Sequence, residues 1–385
     1  MIDKELGYYI VGDIEFDSKI RAFLHANEQN KEVKWMFNNN IFKTHNWSIE
    51  PTESLDVLYD QRSKSIREKY DYVIISYSGG SDSHNILMSF IRQDLFIDEI
   101  IINHTNKLTD KYIDLDLLNK TSKNAHAEWY LHALPMLKEI SKKIPKTKIT
   151  ILDMSDSLFD SLESIGDESW ILNKREQMNL VGMTRFNYIH FNSVRKTYDK
   201  GKKIALILGV EKPRTSIDRG DFYITFQDRP ANIVTIAEHM REYSNSKIEL
   251  FYWSPDSLKI LTKQAHVIKK WLEAFPENQI LWKAWVPPET FRLVHERILR
   301  SLLYTTWDDS WYQVDKAVKD WYSEFDSWFY DYYHDSKAFR IWESGIKYVD
   351  SKLTNFTKKD NRGNSDGLQP FFYHYKIGPM KVLNI

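Results

Sequence analysis

Residues 70–91 read YDYVIISYSGGSDSHNILMSFI, and this stretch decides the fold. Tyr72 to Tyr77 is a short β-branched and aromatic run of the kind that forms a buried strand. Ser78-Gly79-Gly80-Ser81-Asp82-Ser83 follows as a turn, and beyond it Ile86, Leu87, Phe90 and Ile91 recur at helical spacing. Adjacent glycines permit backbone geometry that a Cβ obstructs and let the main chain approach a ligand closely. A strand, a tight turn and a helix start together deliver successive backbone N–H groups to one point, which suits an anion. With serine hydroxyls on its flanks and one carboxylate able to reach a metal ion, the turn has the chemistry of a pyrophosphate cradle.

The spelling of the turn separates it from other phosphate loops. The chain contains no GxxxxGK[ST], and no GxGxxG follows a strand, so neither the P-loop nor the dinucleotide fingerprint applies. Instead SGGSDS resembles the SGGxDS signature of the PP-loop ATP pyrophosphatases. That family includes the synthetase domains of asparagine synthetase, GMP synthetase and NAD synthetase, along with tRNA- and nucleobase-modifying enzymes. Taken with GVEKPR at 209–214 and the segment 251–266, the chain looks similar to asparagine synthetase-like proteins of tailed bacteriophages.

The resemblance implies an α/β fold, a Rossmann-like parallel sheet with helices on both faces (PP-loop or HUP type), and ATP with Mg²⁺ as cofactors. By the same resemblance Gly79 and Gly80 present amides to the β- and γ-phosphates. Ser78, Ser81 and Ser83 complete the pyrophosphate contacts, and Asp82 holds Mg²⁺. In the second cluster Glu211 joins the metal site, while Lys212 and Arg214 grip phosphates and, with Asp82, serve catalysis. Asn103 and His104, followed by Thr105, end a strand where family members contact adenosine. The asparagine synthetase form of the second motif, GxGxDE, is not reproduced.

Composition narrows the chemistry. The 385 residues allow two domains, and the 53 Lys+Arg against 54 Asp+Glu give no global charge that would attract nucleic acid. Nucleic acid stays open as a partner through local basic patches. No apolar run reaches membrane-spanning length, and MIDKELGYYI lacks a signal-peptide layout, so the expected location is the cytoplasm, that of the host if the protein is viral. There is no cysteine, which removes thiol-based sulfur transfer, cysteine-held clusters and cysteine-bound zinc. It also removes the cysteine nucleophile of the glutaminase attached to asparagine synthetase. Nitrogen is then expected from free ammonia, an amine substrate or another polypeptide.

Along the chain, residues 1–50 read as a lead-in with a hairpin or strand pair. Residues 51–250 read as the ATP pyrophosphatase domain, and 251–385 as a mostly helical, aromatic-rich region. A helix is expected from Pro51, and strands at 98–105, 148–153 and 203–209. Pro135 predicts a kink in the helix 124–143, and Ser155 a helix cap. The tail 361–380, with Gly363, Gly367 and Pro370, reads as loop. Trp253 and Asp256, in a segment dense with aromatic and polar groups, are candidates for a substrate pocket. His126 and His132 lack HExxH spacing and read as ordinary helix-face residues. Asp153, Asp156 and Asp160 read as caps and solvated charges, and no GxSxG elbow is present.

The expected function is ATP-dependent adenylation of an acceptor with release of pyrophosphate, followed by amide or amidine formation, a carbon–nitrogen ligase without its own glutaminase. The alternatives are a nucleobase- or tRNA-modifying enzyme, and a structural or regulatory protein that binds nucleotide without turnover.

Overall fold

A computed structural model describes residues 2–109, 129–173, 196–197, 200–228, 245–283, 288–308, 321–322, 326–359 and 365–381. Strands β1 (Tyr8–Val11), β2 (Ile14–Phe16) and β3 (Val33–Met36) form an antiparallel sheet in the order β2-β1-β3. A strand pair is expected here. The third strand joins because Val33 and Trp35 alternate inward while Lys34 faces out. Helix α1 (Lys19–Gln29) starts where the Ser18 hydroxyl accepts from the Arg21 amide, and it buries Ile20, Ala22, Phe23 and Ala26. A single turn, α2 (Asn39–Phe42), follows.

Helix α3 (Leu55–Lys69) begins at Ser54 rather than Pro51, because Ser54 accepts the Val57 amide and so supplies the cap. Next come β4 (Tyr72–Ser76), α4 (Ser81–Arg92), β5 (Glu99–His104) and α5 (Asn106–Thr109). After them stand α6 (Leu134–Lys143), β6 (Lys148–Asp153), α7 (Ser155–Ile165), β7 (Ile204–Leu208), β8 (Arg214–Asp218), β9 (Asp221–Gln227) and β10 (Ser246–Leu250). Strands β10, β7, β4, β5 and β6 pair in that order, every pair parallel. The result is an α/β fold with a helix-flanked parallel sheet, compatible with the Rossmann-like type. All of β7 and the Val73, Ile74 and Ile75 side chains of β4 are buried. Each such side chain is worth about 1.5–3 kcal/mol relative to exposure, which explains why the two most apolar strands take the middle of the sheet.

Pro135 sits at the second position of α6, directly after a π-helical turn at Trp129–Ala133 whose last residue keeps helical geometry, so the helix changes its winding at the proline, where an N–H is missing. One local expectation is corrected. Ser155 is the first residue of α7 and does not cap it with its side chain. Instead Asp153 Oδ1 accepts the Ser155 amide at 3.0 Å. His126 and residues 174–195 lie outside the described residues.

Helices α8 (Leu258–Ala274), α9 (Pro276–Lys283), α10 (Pro288–Leu303), α11 (Ser327–Tyr332) and α12 (Lys337–Lys352) follow, and then strands β11 (Thr357–Lys359), β12 (Ser365–Leu368) and β13 (Phe372–Pro379). The tail is therefore not loop. β13 pairs antiparallel with β9 from Phe372↔Gln227 to Pro379↔Asp221, and β9 in turn pairs with β8. The aromatic run FFYHY has strand propensity, but its partner lies far upstream, so tertiary pairing overrode the nearby glycines and proline. A buried ion pair ties the tail to the first sheet. Lys19 Nζ lies 2.8 Å from Asp228 with neither side chain exposed. Asp228 also accepts from Tyr9 Oη and from the Phe371 amide. Among the described residues no helix is long and apolar enough to cross a membrane.

Candidate functional site

The direction of strand succession changes between β4 and β7. From β4 the chain steps outward through β5 to β6, and β7 and β10 lie on the other side. In open parallel sheets the crevice at the carboxyl ends of such a pair is where ligands bind. Both sequence clusters leave the sheet here: the turn 78–83 follows β4, and 209–214 follows β7. Gly209 permits the two to touch. A Cβ there would stand 3.1 Å from the Ser83 amide nitrogen and 3.3 Å from the Asp82 carbonyl carbon, so a side chain would push β7 off the start of α4.

Inside the turn the serines brace each other. Ser83 Oγ accepts the Ser78 amide at 3.2 Å and contacts the Gly80 carbonyl at 3.1 Å, and Ser78 Oγ accepts the Gly80 amide at 3.3 Å. Gly80 then acts as the N-cap of α4, with Ser81, Asp82 and Ser83 in its first turn. The amides of a helix's first turn have no partner within the helix, and the partial positive charge there favours an anion. The Ser81 hydroxyl is buried and has no hydrogen-bond partner. The glycines divide their roles. Gly79 has φ +78° and its Cβ position lies 2.6 Å from Ala133 Cβ, so its freedom lets the turn pack against Trp129–Ala133. Gly80 has an ordinary φ of −77° and is partly exposed.

Asp82 is the hub. Lys212 Nζ lies 3.0 and 2.9 Å from its two oxygens, and Tyr304 Oη donates to Oδ1 at 2.5 Å. Tyr252 Oη donates to the Asp82 carbonyl at 3.0 Å and accepts from Asn85 Nδ2 at 2.9 Å. Burial alone would lower the pKa of Lys212, but the Asp82 and Glu296 carboxylates outweigh it and hold the ammonium above its usual range. Burial, with the Asp82 charge adding to it, pushes the Tyr304 hydroxyl far above the ordinary phenol value, so it stays a donor. For Tyr252 burial comes first and Tyr59 and Asp82 add, with the same result.

Thus Lys212 meets Asp82, with its ammonium resting on the carboxylate. The Glu211 carboxylate lies 3.9 Å from Nε of Arg214, the first residue of β8. Among the described residues no group of three or more His, Asp or Glu side chains converges as a metal centre. Asp82 alone still fits a Mg²⁺ that arrives on a nucleotide, since such an ion takes most of its ligands from phosphate and water.

Asn103 and His104 end β5 as expected. The His104 ring stacks on Trp129 at 4.7 Å and its Nδ1 accepts the Asn106 amide. Thr105 is buried next to them, and its hydroxyl has no partner. Trp253 and Asp256 do not line a common pocket. Trp253 is fully buried against Phe226 and Phe37, and Asp256, largely exposed, lies 3.3 Å from Arg62. It is the preceding residue, Tyr252, that reaches the turn. Asp153 and Asp156 are held by local bonds, Asp153 by the Ser155 and Lys107 amides and Asp156 by Lys107 Nζ.

Sequence reading missed Tyr252, Tyr304, Glu296 and Arg300. The last three carry a legible signal, since positions 296, 300 and 304 are four apart and share a helix face. Behind the turn His84 and His132 are both buried, with ring centroids 5.9 and 5.1 Å from Trp307. His132 is thus a core residue of the π-helical turn. The chain matches no protein-family model and no curated protein.

Proposed function

We propose that the chain is an ATP pyrophosphatase that adenylates an acceptor. The observation that carries this reading is the meeting of Asp82 at the start of α4 with Lys212 beyond β7, 2.9 Å apart, in the crevice where strand succession changes direction. The first-turn amides of α4 and the buried Ser81 hydroxyl suit the pyrophosphate half of ATP. Lys212 supplies a fixed cation, and Tyr304 and Tyr252 hold Asp82 and its carbonyl in place. Bound Mg²⁺ would be held by Asp82 and would neutralise phosphate charge.

In the proposed reaction an acceptor oxygen attacks the α-phosphorus, the α–β bridging bond breaks, and pyrophosphate leaves with the bridging electron pair. A nitrogen nucleophile then attacks the activated carbon, loses a proton, and AMP departs with the acceptor oxygen. The protein's contribution is alignment of the acceptor and neutralisation of the leaving pyrophosphate. No side-chain base is required at the first step if the acceptor is a carboxylate. The test is ³¹P NMR of ATP and Mg²⁺ incubated with the protein, ammonium and a pool of carboxylate metabolites. AMP and pyrophosphate are expected, and their loss in Asp82→Ala. ADP and phosphate, or products that persist in Asp82→Ala, would overturn the proposal.

A further inference from the structure

Tyr304 marks the end of α10, and the same helix face carries Glu296 and Arg300 toward the turn. One carboxylate oxygen of Glu296, Oε2, lies 3.4 Å from Lys212 Nζ and 3.9 Å from Arg300 Nε. The two cations are well anchored. Lys212 is 10% exposed and lies 5.8 Å from the Tyr304 ring centroid, and Arg300 is 16% exposed with its guanidinium 5.6 Å from that of Trp307. Glu296 is the most exposed of the three, with 36% of its side chain in contact with solvent. Lys212 keeps Asp82 as a partner when Glu296 turns outward, so an incoming anion can take the place of the Glu296 carboxylate between Lys212 and Arg300 at the cost of two weak contacts of 3.4 and 3.9 Å.

We propose that Lys212 and Arg300 form an oxyanion subsite, which Glu296 fills in the ligand-free chain and yields to an oxyanion of the ligand. The inference rests on the reading that the turn takes a polyphosphate, and adds a second anion position beside it. Two sources share the required chemistry, a phosphate group of the nucleotide and the carboxylate of the acceptor. In either case Glu296 competes with the ligand, so removing its charge strengthens binding. A merely structural role for Glu296 predicts the opposite sign.

The experiment is calorimetric titration of the full chain with two probes, inorganic pyrophosphate with Mg²⁺ and malonate. Glu296→Gln is expected to bind one of them about fivefold more tightly, the scale of one partly screened charge, and Arg300→Gln to bind the same probe more weakly. Glu296→Ala, which removes the carboxylate altogether, should agree in sign. Tightening for pyrophosphate assigns the subsite to phosphate, and tightening for malonate assigns it to the acceptor. Unchanged or weaker binding of both probes in Glu296→Gln overturns the subsite. If pyrophosphate still binds and Lys212→Met abolishes that binding, the polyphosphate reading survives the loss of the subsite. If pyrophosphate binds neither the natural chain nor any variant, both fail.

Discussion

Replacing Gly79 by alanine isolates what the turn demands of its backbone. A Cβ on Gly79 falls 2.6 Å from Ala133 Cβ and 3.1 Å from its Cα. In addition, its φ of +78° lies in the left-handed region, where a side chain costs about 1–2 kcal/mol. Pressing a methyl group into a filled contact adds about 1–3 kcal/mol. Stiffening of the unfolded chain returns about 0.4–1 kcal/mol. The net expectation is a loss of about 1–5 kcal/mol. Gly80→Ala is the control. Its backbone is already in an ordinary extended region, and the nearest atom, Ser78 Oγ at 3.3 Å, is the rotatable end of a side chain. That change should stay within about 1 kcal/mol. Urea unfolding followed by tryptophan fluorescence reads both variants. Adding Ala133→Gly to Gly79→Ala should recover the steric share as a coupling energy of about 1–3 kcal/mol and leave the φ share in place. Equal effects at Gly79 and Gly80, or zero coupling to Ala133, would refute the packing of the turn on the π-helical turn.

Tyr304→Phe removes the donor to Asp82 and should cost about 1.5–3 kcal/mol of stability, read by urea unfolding, and a loss under about 0.5 kcal/mol would show the bond to be of little consequence. Lys19→Met leaves Asp228 buried without its cation, and the same measurement should show a loss of about 3–5 kcal/mol. His84 carries a pH prediction. Burial, with His132 and Lys143 adding to it, pushes the imidazole down to about 4, below the unfolded value of about 6.5. The unfolded chain therefore takes up the proton first, so the stability is complete above pH ~6.5 and is lost as pH falls toward 4. Between pH 7 and pH 5 the loss is about 2 kcal/mol. His84→Gln should lack this component, and equal slopes in the two proteins would count against it.

Much of the parallel sheet was legible in the sequence because its strands are local, uninterrupted apolar runs. YVIIS, EIII and IALIL are apolar enough that only burial on both faces suits them, and SGGSDS between a strand and a helix declares its turn through residue type. The pairing of Asp82 with Lys212 was half legible: both residues stood out, but not that the ammonium would rest on the carboxylate. What only the tertiary structure decided is set by partners distant in the chain. The tail 361–380 carries loop residues, yet Phe372–Pro379 becomes a strand because β9 offers an open edge. Trp253 stood out by composition, yet the turn after β10 buries it and sends its neighbour Tyr252 to Asp82. The four-residue spacing of Glu296, Arg300 and Tyr304 puts them on one helix face, but spacing states no more than that. Which face of α10 meets the turn follows from packing against residues some two hundred positions away, and no local pattern carries that information.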